Sequence, residues 1–175
     1  MLKRFFAMLK ARDGLAAVEF AFLAPVMVLM FFGTVEVSAA VDCNTRVTNV
    51  ASTAADLVAQ ETSVSSADMA NVFSALNAII YPYSAAGAKI VISSLVDDGH
   101  GGAKVAWSDA QNATPLTVGS AVIVPTGLIT SGGSVIYAQV TYNYNSSPAV
   151  YLTGTLTMTS TFYARPRRSA TVSHT

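Results

Sequence analysis

The sequence predicts an α+β protein: a long N-terminal transmembrane and stalk helix packed on a small antiparallel β-sheet, with a short second helix between them. Three observations carry this. Leu15 to Val35 is an apolar run of 21 residues with one ionisable member, Glu19. Thr34 to Gln60 contains neither Gly nor Pro and repeats its apolar residues at steps of three and four, the signature of one helix face. Beyond Ala88 the repeat changes to two, the period of strands.

The first run is long enough to cross the roughly 30 Å hydrocarbon layer of a bilayer at about 1.5 Å per helical residue. Ahead of it stand Lys3, Arg4, Lys10 and Arg12 against one acid, Asp13. That bias keeps the N-terminus cytoplasmic and sends the rest outward. A cleaved secretory signal is the alternative, with V-S-A-A at 37–40 as its small-residue site.

The stripe Ala40, Cys43, Val47, Val50, Ala51, Ala54, Leu57 and Val58 extends the helix to Gln60, its second half amphipathic. Cys43 lies on that stripe and acts there as a small hydrophobe, and an intersubunit disulfide is the other reading. After T-S-V-S-S, Ser65 and Asp68 have the spacing of a helix N-cap. The expected second helix buries Met69, Val72, Phe73, Leu76, Ile79 and Ile80 and stops at Y-P-Y, residues 81–83.

Residues 88–96 and 103–109 then form a hairpin about D-D-G-H-G-G, with Val105 and Trp107 alternating against Lys104, Ala106 and Ser108. A second pair runs from S-V-I-Y-A-Q-V-T-Y-N-Y through N-S-S-P into A-V-Y-L-T-G-T-L-T-M-T-S-T-F-Y. Its last strand sets Leu156, Met158 and Phe162 against Thr155, Thr157, Thr159 and Thr161, as in a sheet with one wet side and one side covered by the helix stripe. Gln111 to Gly133 is an irregular connection containing V-I-V-P, either a functional loop or an edge strand with turns, and N-A-T at 112 and N-S-S at 145 match the glycosylation sequon. The organisation expected is a basic leader at 1–14, a membrane helix and stalk at 15–60 and a periplasmic domain at 61–175.

Composition narrows the function. Charged residues are 11% of the chain and its net charge is formally zero. Without residues 1–14, six bases face nine acids, about −3. No basic face for nucleic acid remains apart from Arg165, Arg167 and Arg168, read as a solvated tail. One cysteine excludes an intrachain disulfide. His100 in a turn and His174 in an expected loose end lack ligand spacing, so no metal or other cofactor is expected. G-x-S-x-G, H-E-x-x-H, a Walker loop and C-x-x-C are all missing, and no enzyme is expected.

Glu19 is the residue that needs a purpose. A carboxylate at the bilayer centre costs about 2.5–3.5 kcal/mol on insertion scales, and less near the interface. Glu19 lies only about 6 Å along the helix from Leu15, where the helix dipole and snorkelling lower that cost. If the chain is cut after Gly14, the new α-ammonium of Leu15 is one turn from Glu19 and pairs with it or with its equivalent on a neighbouring chain.

R-D-G-L-A-A-V-E-F resembles the processing site of bacterial type IV pilin-like proteins: a short basic leader ending in Gly, then an apolar helix with Glu five residues on and Phe six. R-x-G-x-A-A-V-E-F-A, followed by Pro25, Gly33 and Glu36, is similar to the TadE/TadG-like pseudopilins of the tight-adherence (Flp) pilus system. The Y-N-Y strand and the A-R-P-R-R segment resemble the family's C-terminal parts more loosely. The chain lacks room for the large inserted domain of TadG-type relatives, which makes TadE-like the closer resemblance.

That resemblance implies cleavage by a prepilin peptidase between Gly14 and Leu15, retention in the inner membrane and a minor-pilin role in pilus assembly. The partners implied are other pseudopilins, the major Flp pilin and the inner-membrane assembly platform. Glu19 and Phe20 would serve assembly, with Glu19 neutralising the N-terminus. Ala17, Ala21 and Ala24 would let a second helix approach, and Pro25 would loosen the helix locally. Two other functions stay open: a membrane-anchored periplasmic binding or sensory module, and a secreted adhesin with a cleaved signal.

Overall fold

Small side chains spaced three and four apart give the segment after the apolar run one surface that must close against other elements. The computed structural model describes residues 15–99, 102–125, 127–145 and 155–175. The basic stretch 1–14, His100, and residues 146–154 with the first part of the last expected strand lie outside the described residues. Helix α1 spans Leu15–Ala59, 45 residues, and continues through Pro25. The chain falls into two compact units, one ending at Ala40 and one covering Val41–Thr175.

In the second unit α1 buries Cys43, Val47, Val50, Ala51, Ala54, Ala55, Val58 and Ala59 completely. The buried arc is wider than the stripe read from sequence and is turned away from Leu57. One residue per turn is covered at Cys43 and Val47, and two adjacent ones from Val50 onward. At 100° per residue Leu57 falls on the rim beyond Val50 and is half-exposed, while Ala55 and Ala59 lie inside the arc.

Strand β1, Ser63–Val64, leads into helix α2, Ser66–Ile80. The expected cap is a full capping box: the Asp68 amide donates to Ser65 Oγ at 3.2 Å and the Ser65 amide donates to Asp68 Oδ2 at 2.9 Å. Met69, Leu76 and Ile80 are buried, whereas Val72, Phe73 and Ile79 are half-buried. The far end of α2 is tied to α1 by Arg46, whose guanidinium donates to the carbonyls of Ile79, at 3.3 Å, and Tyr81. It thereby satisfies acceptors that a helix end leaves without amide partners. Arg46 Nε also donates to Asp42 Oδ2 at 2.9 Å, and Tyr83 donates its hydroxyl to the same oxygen at 3.1 Å. The Arg46 bond holds the Asp42 carboxyl below its usual range, and burial, helped by Asp42, pushes the Tyr83 phenol up to about 12.

A 3-10 turn at Ala85–Gly87 precedes the main sheet, built of β2 (Ala88–Asp97), β3 (Ala103–Gln111), β4 (Ala121–Val122), β5 (Ser134–Tyr144) and β6 (Leu156–Ala164). Its order is β4-β3-β2-β5-β6, antiparallel throughout. Ile90 pairs with Val140 and Ile92 with Ala138, placing these buried residues on one face. Tyr83 meets that face: its ring lies 6.4 Å from Tyr142 and 5.9 Å from Tyr144, and burial there pushes the Tyr142 phenol up.

One end of the other face is also covered, so the wet side expected from sequence is confined to the part around β6. Leu95, Ala103, Val105 and Val135 form a second core beneath Leu116, Val122, Val124, Leu128 and Ile129. The irregular 111–133 connection is therefore a lid over the sheet, and its β4 pairs with β3. A bulge at Ser94/Leu95 makes this possible. Trp107 pairs with Ser94 before it and Val105 with Leu95 after it, which sends the two side chains to opposite faces rather than to the shared face that strict alternation predicts.

The C-terminal segment is docked, which corrects the expectation of a solvated tail. Val172 is buried, and β7, Ser173–His174, pairs in parallel with β1. Trp107 Nε1 donates to the Val172 carbonyl at 2.7 Å, and His174 Nε2 lies 2.8 Å from Asp109 Oδ2. The Arg167 amide caps α1 at the Ala59 carbonyl, 2.8 Å away, while its guanidinium pairs with Asp56. Arg165 donates to the carbonyls of Leu128 at 3.2 Å and Gly127 at 3.1 Å.

On β6 the threonine face is exposed as expected, but the apolar face is not fully covered. Leu156 is 39% and Phe162 42% exposed. The helix residues facing Phe162 across a shallow groove are Ser52, Thr53 and Asp56, so the apolar stripe points elsewhere.

Two outcomes follow from the packing. In a fragment spanning Val41–Thr175, Val50→Asp should destabilise by about 3 kcal/mol or more, because an unpaired carboxylate replaces a fully buried side chain, while Leu57→Asp should cost under about half of that. Equal losses in chemical melts of the two variants would contradict the placement of the arc. Cys43 provides the second: burial pushes its thiol up to about 11, so thiol reagents should label it at least about tenfold more slowly in the native chain than after denaturation. Rapid labelling of the folded chain would show the stripe to be open.

Candidate functional site

The residues singled out for membrane and assembly roles all fall in the first turns of α1, apart from Gly14, which lies outside the described residues. Leu15, Ala17, Glu19, Phe20 and Ala21 are exposed on the helix surface and Ala24 is half-exposed. Helical spacing sets Ala17, Ala21 and Ala24 on one face. Phe20, Phe22, Leu29 and Phe31 are each more than 60% exposed, an all-round apolar surface that water would penalise at about 25 cal/mol per Å² and lipid would not. This helix is long and apolar enough to cross a membrane. Among the described residues it is one such helix, near the N-terminus, which fits a single-pass anchor.

Pro25 has no amide to give the Ala21 carbonyl four residues back, yet the helix runs on past it. Gly33 costs roughly 1 kcal/mol of helix propensity relative to Ala, and an added Cβ there would meet nothing within 4 Å. No packing of the described chain accounts for it. The Thr34 hydroxyl is satisfied within the helix by the Met30 carbonyl at 2.9 Å.

Outside this helix, among the described residues, Asn112 and His174 have structural partners. Asn112, first residue of the N-A-T sequon, has a φ of 55° and donates its amide to the carbonyls of Ala85 at 3.2 Å and Ala88 at 3.0 Å. His174 and Asp109 clasp the C-terminal segment beside Trp107, whose ring is 5.5 Å from the imidazole. Sequence reading missed this clasp, because residues 65 positions apart leave no local spacing to read. Among the described residues no three His, Cys, Asp or Glu side chains gather as a metal site would require.

Comparison with known proteins places a match on the same helix. Residues 14–56 fit the family model described as TadE-like protein, about a quarter of the chain. No curated protein and no solved structure matches. The matched segment opens at Gly14, takes in Glu19, Pro25 and Gly33, and ends within the buried arc of α1. Over residues 14–56 this chain is similar to TadE-like proteins.

Proposed function

We propose that the chain is a minor pilin-like subunit, a pseudopilin, for assembly of a Tad/Flp-type pilus. The observation that carries this reading is the coincidence of three features in one stretch: the TadE-like match beginning at Gly14, an exposed apolar helix of membrane length, and a carboxylate in its second turn at Glu19. The role is structural, and no catalytic step is assigned to the chain.

In this reading a prepilin peptidase hydrolyses the bond between Gly14 and Leu15, and the helix holds the mature chain in the inner membrane with its C-terminal domain in the periplasm. The partners are other pseudopilins, the major pilin and the assembly platform. Cleavage of a secretory signal near Ala40 would discard more than half of the TadE-like segment, which leaves that segment without a use in the mature protein.

Glu19 and the new N-terminus form the working pair. Both charges are costly in hydrocarbon when alone, and each lowers the cost of the other when a neighbouring helix brings them together. Ala17, Ala21 and Ala24 provide a smooth face for that approach, and Phe20 fills space beside it.

Mass spectrometry of the membrane-purified protein should find a mature N-terminus at Leu15. An intact Met1 or a start near Ala40 would refute the pilin reading. Glu19→Gln removes the charge with little change of shape, so insertion and cleavage should persist while recovery of sheared surface pili falls by about tenfold or more, as expected if an ammonium is left unpaired in a low-dielectric bundle. Normal processing together with normal piliation would remove Glu19 from the assembly mechanism.

A further inference from the structure

Strand β6 ends the five-stranded sheet, and it is unlike the edges that soluble domains normally expose. It is nine residues long, L-T-M-T-S-T-F-Y-A, and contains no charged residue and no proline. Its pairing with β5 runs without a register shift from Ile136↔Ala164 to Tyr144↔Leu156, so no bulge twists it away. Lysines, prolines, bulges and short strands are the usual devices that stop an edge from templating another strand. The opposite side of the same sheet uses them: β4 is two residues long, and β3 behind it carries Lys104 and Asp109. Beside β6 the groove along Ser52, Thr53 and Asp56, about 480 Å³, leaves Phe162 open.

The side chains of β6 also select an occupant. An antiparallel copy centred on Ser160 sets Met158 opposite Phe162 and Leu156 opposite Ala164 on the groove side. On the other side it sets Thr159 opposite Thr161 and Thr157 opposite Tyr163. On the groove side apolar thus meets apolar on either side of the Ser160 pair, on the other Thr159 meets Thr161 and Thr157 meets Tyr163, pairings that favour cross-strand association, and no like charges oppose. The threonine face is already ordered for this: Thr157 donates to Asn143 Oδ1 at 3.1 Å and Thr159 lies 3.3 Å from Thr141. A strand self-complementary about its midpoint meets the requirement of a two-fold interface, where the same patch serves both partners.

We infer that β6 is a docking edge for a second copy of this chain, joining two sheets by antiparallel β6–β6 pairing about a two-fold axis at Ser160. The pairing adds main-chain hydrogen bonds along the edge and covers Phe162 and Leu156 with the partner's Met158 and Ala164. It does not depend on the pilus reading, since it rests on the second compact unit alone.

The test is disulfide trapping of the full chain in its native membranes. The buried Cys43 serves as an internal reporter of folding, because it should stay unreactive while the domain is intact. Ser160→Cys should give a disulfide-linked dimer on mild oxidation, and Ala121→Cys on the opposite edge should not. Chains carrying Thr159→Cys and Thr161→Cys, mixed, should cross-link to each other in preference to themselves, which reads the register independently. Adding T159K and T161K to the Ser160→Cys chain places lysines opposite one another, and with Cys43 still protected the dimer yield should fall by about tenfold or more. The inference is overturned by monomer alone at Ser160→Cys with Cys43 protected, by an equal dimer at Ala121→Cys, by an adduct to a different protein, or by a dimer that survives the lysines.

Discussion

The contact on which the second unit depends is the buried arc of α1 from Cys43 to Ala59. It is made almost wholly of Ala and Val. Side chains this short let the helix lie close to its neighbours, and the arc broadens to two residues per turn where more of the helix circumference is covered. Fully burying each of Val47, Val50 and Val58 contributes roughly 1.5–3 kcal/mol, so the energy is spread along the helix rather than held by one large residue. The ends of the arc are fastened by polar groups instead: Asp42, Arg46 and Tyr83 at one end, the Arg167 amide on the Ala59 carbonyl at the other.

This arrangement gives one helix two kinds of surface. Up to Gly33 its surface is apolar on all sides, apart from Glu19, and from Asp42 onward polar residues occupy the sides that the arc leaves open. A chain that must leave a bilayer without breaking its backbone hydrogen bonds has few other solutions, because an interrupted helix would leave amides and carbonyls unpaired at the interface. The continuity of α1 through Pro25 fits that constraint: one missing amide is tolerated where four would not be.

How much of this was legible in the sequence follows from the range of the interactions. Helix α1, the Ser65–Asp68 box and the 88–111 hairpin are local, set by spacing within one element, and the sequence carried them. The arc itself was found one step off, since Leu57 looks better buried than Ala55 on hydrophobicity and only the neighbours decide which is turned inward. The lid over Val105, the bulge that separates Val105 from Trp107, and the clasp of His174 on Asp109 all depend on partners far along the chain. The choice at 111–133 between a functional loop and an edge strand with turns stayed open in the sequence, because half-buried Leu116, Val122 and Leu128 are too widely spaced to show a period. The candidate assembly residues were legible for a different reason. A charge inside an apolar run stands out without any knowledge of tertiary structure.

The two surfaces left open by the second unit's packing have opposite chemistry. On the C-terminal side Arg165 is engaged by carbonyls and Arg167 by Asp56, so charge that the sequence leaves in solvent holds the chain end in place. On the β6 edge, the threonines spend their hydroxyls on β5, while β6 ends the strand order and the side chain of Phe162 stays exposed. Electrostatics in this unit therefore serves internal closure, and its unspent binding capacity is apolar surface and main-chain hydrogen bonding. Such a surface associates by shape and register, which a strand supplies along its whole length and a scattered set of charges does not.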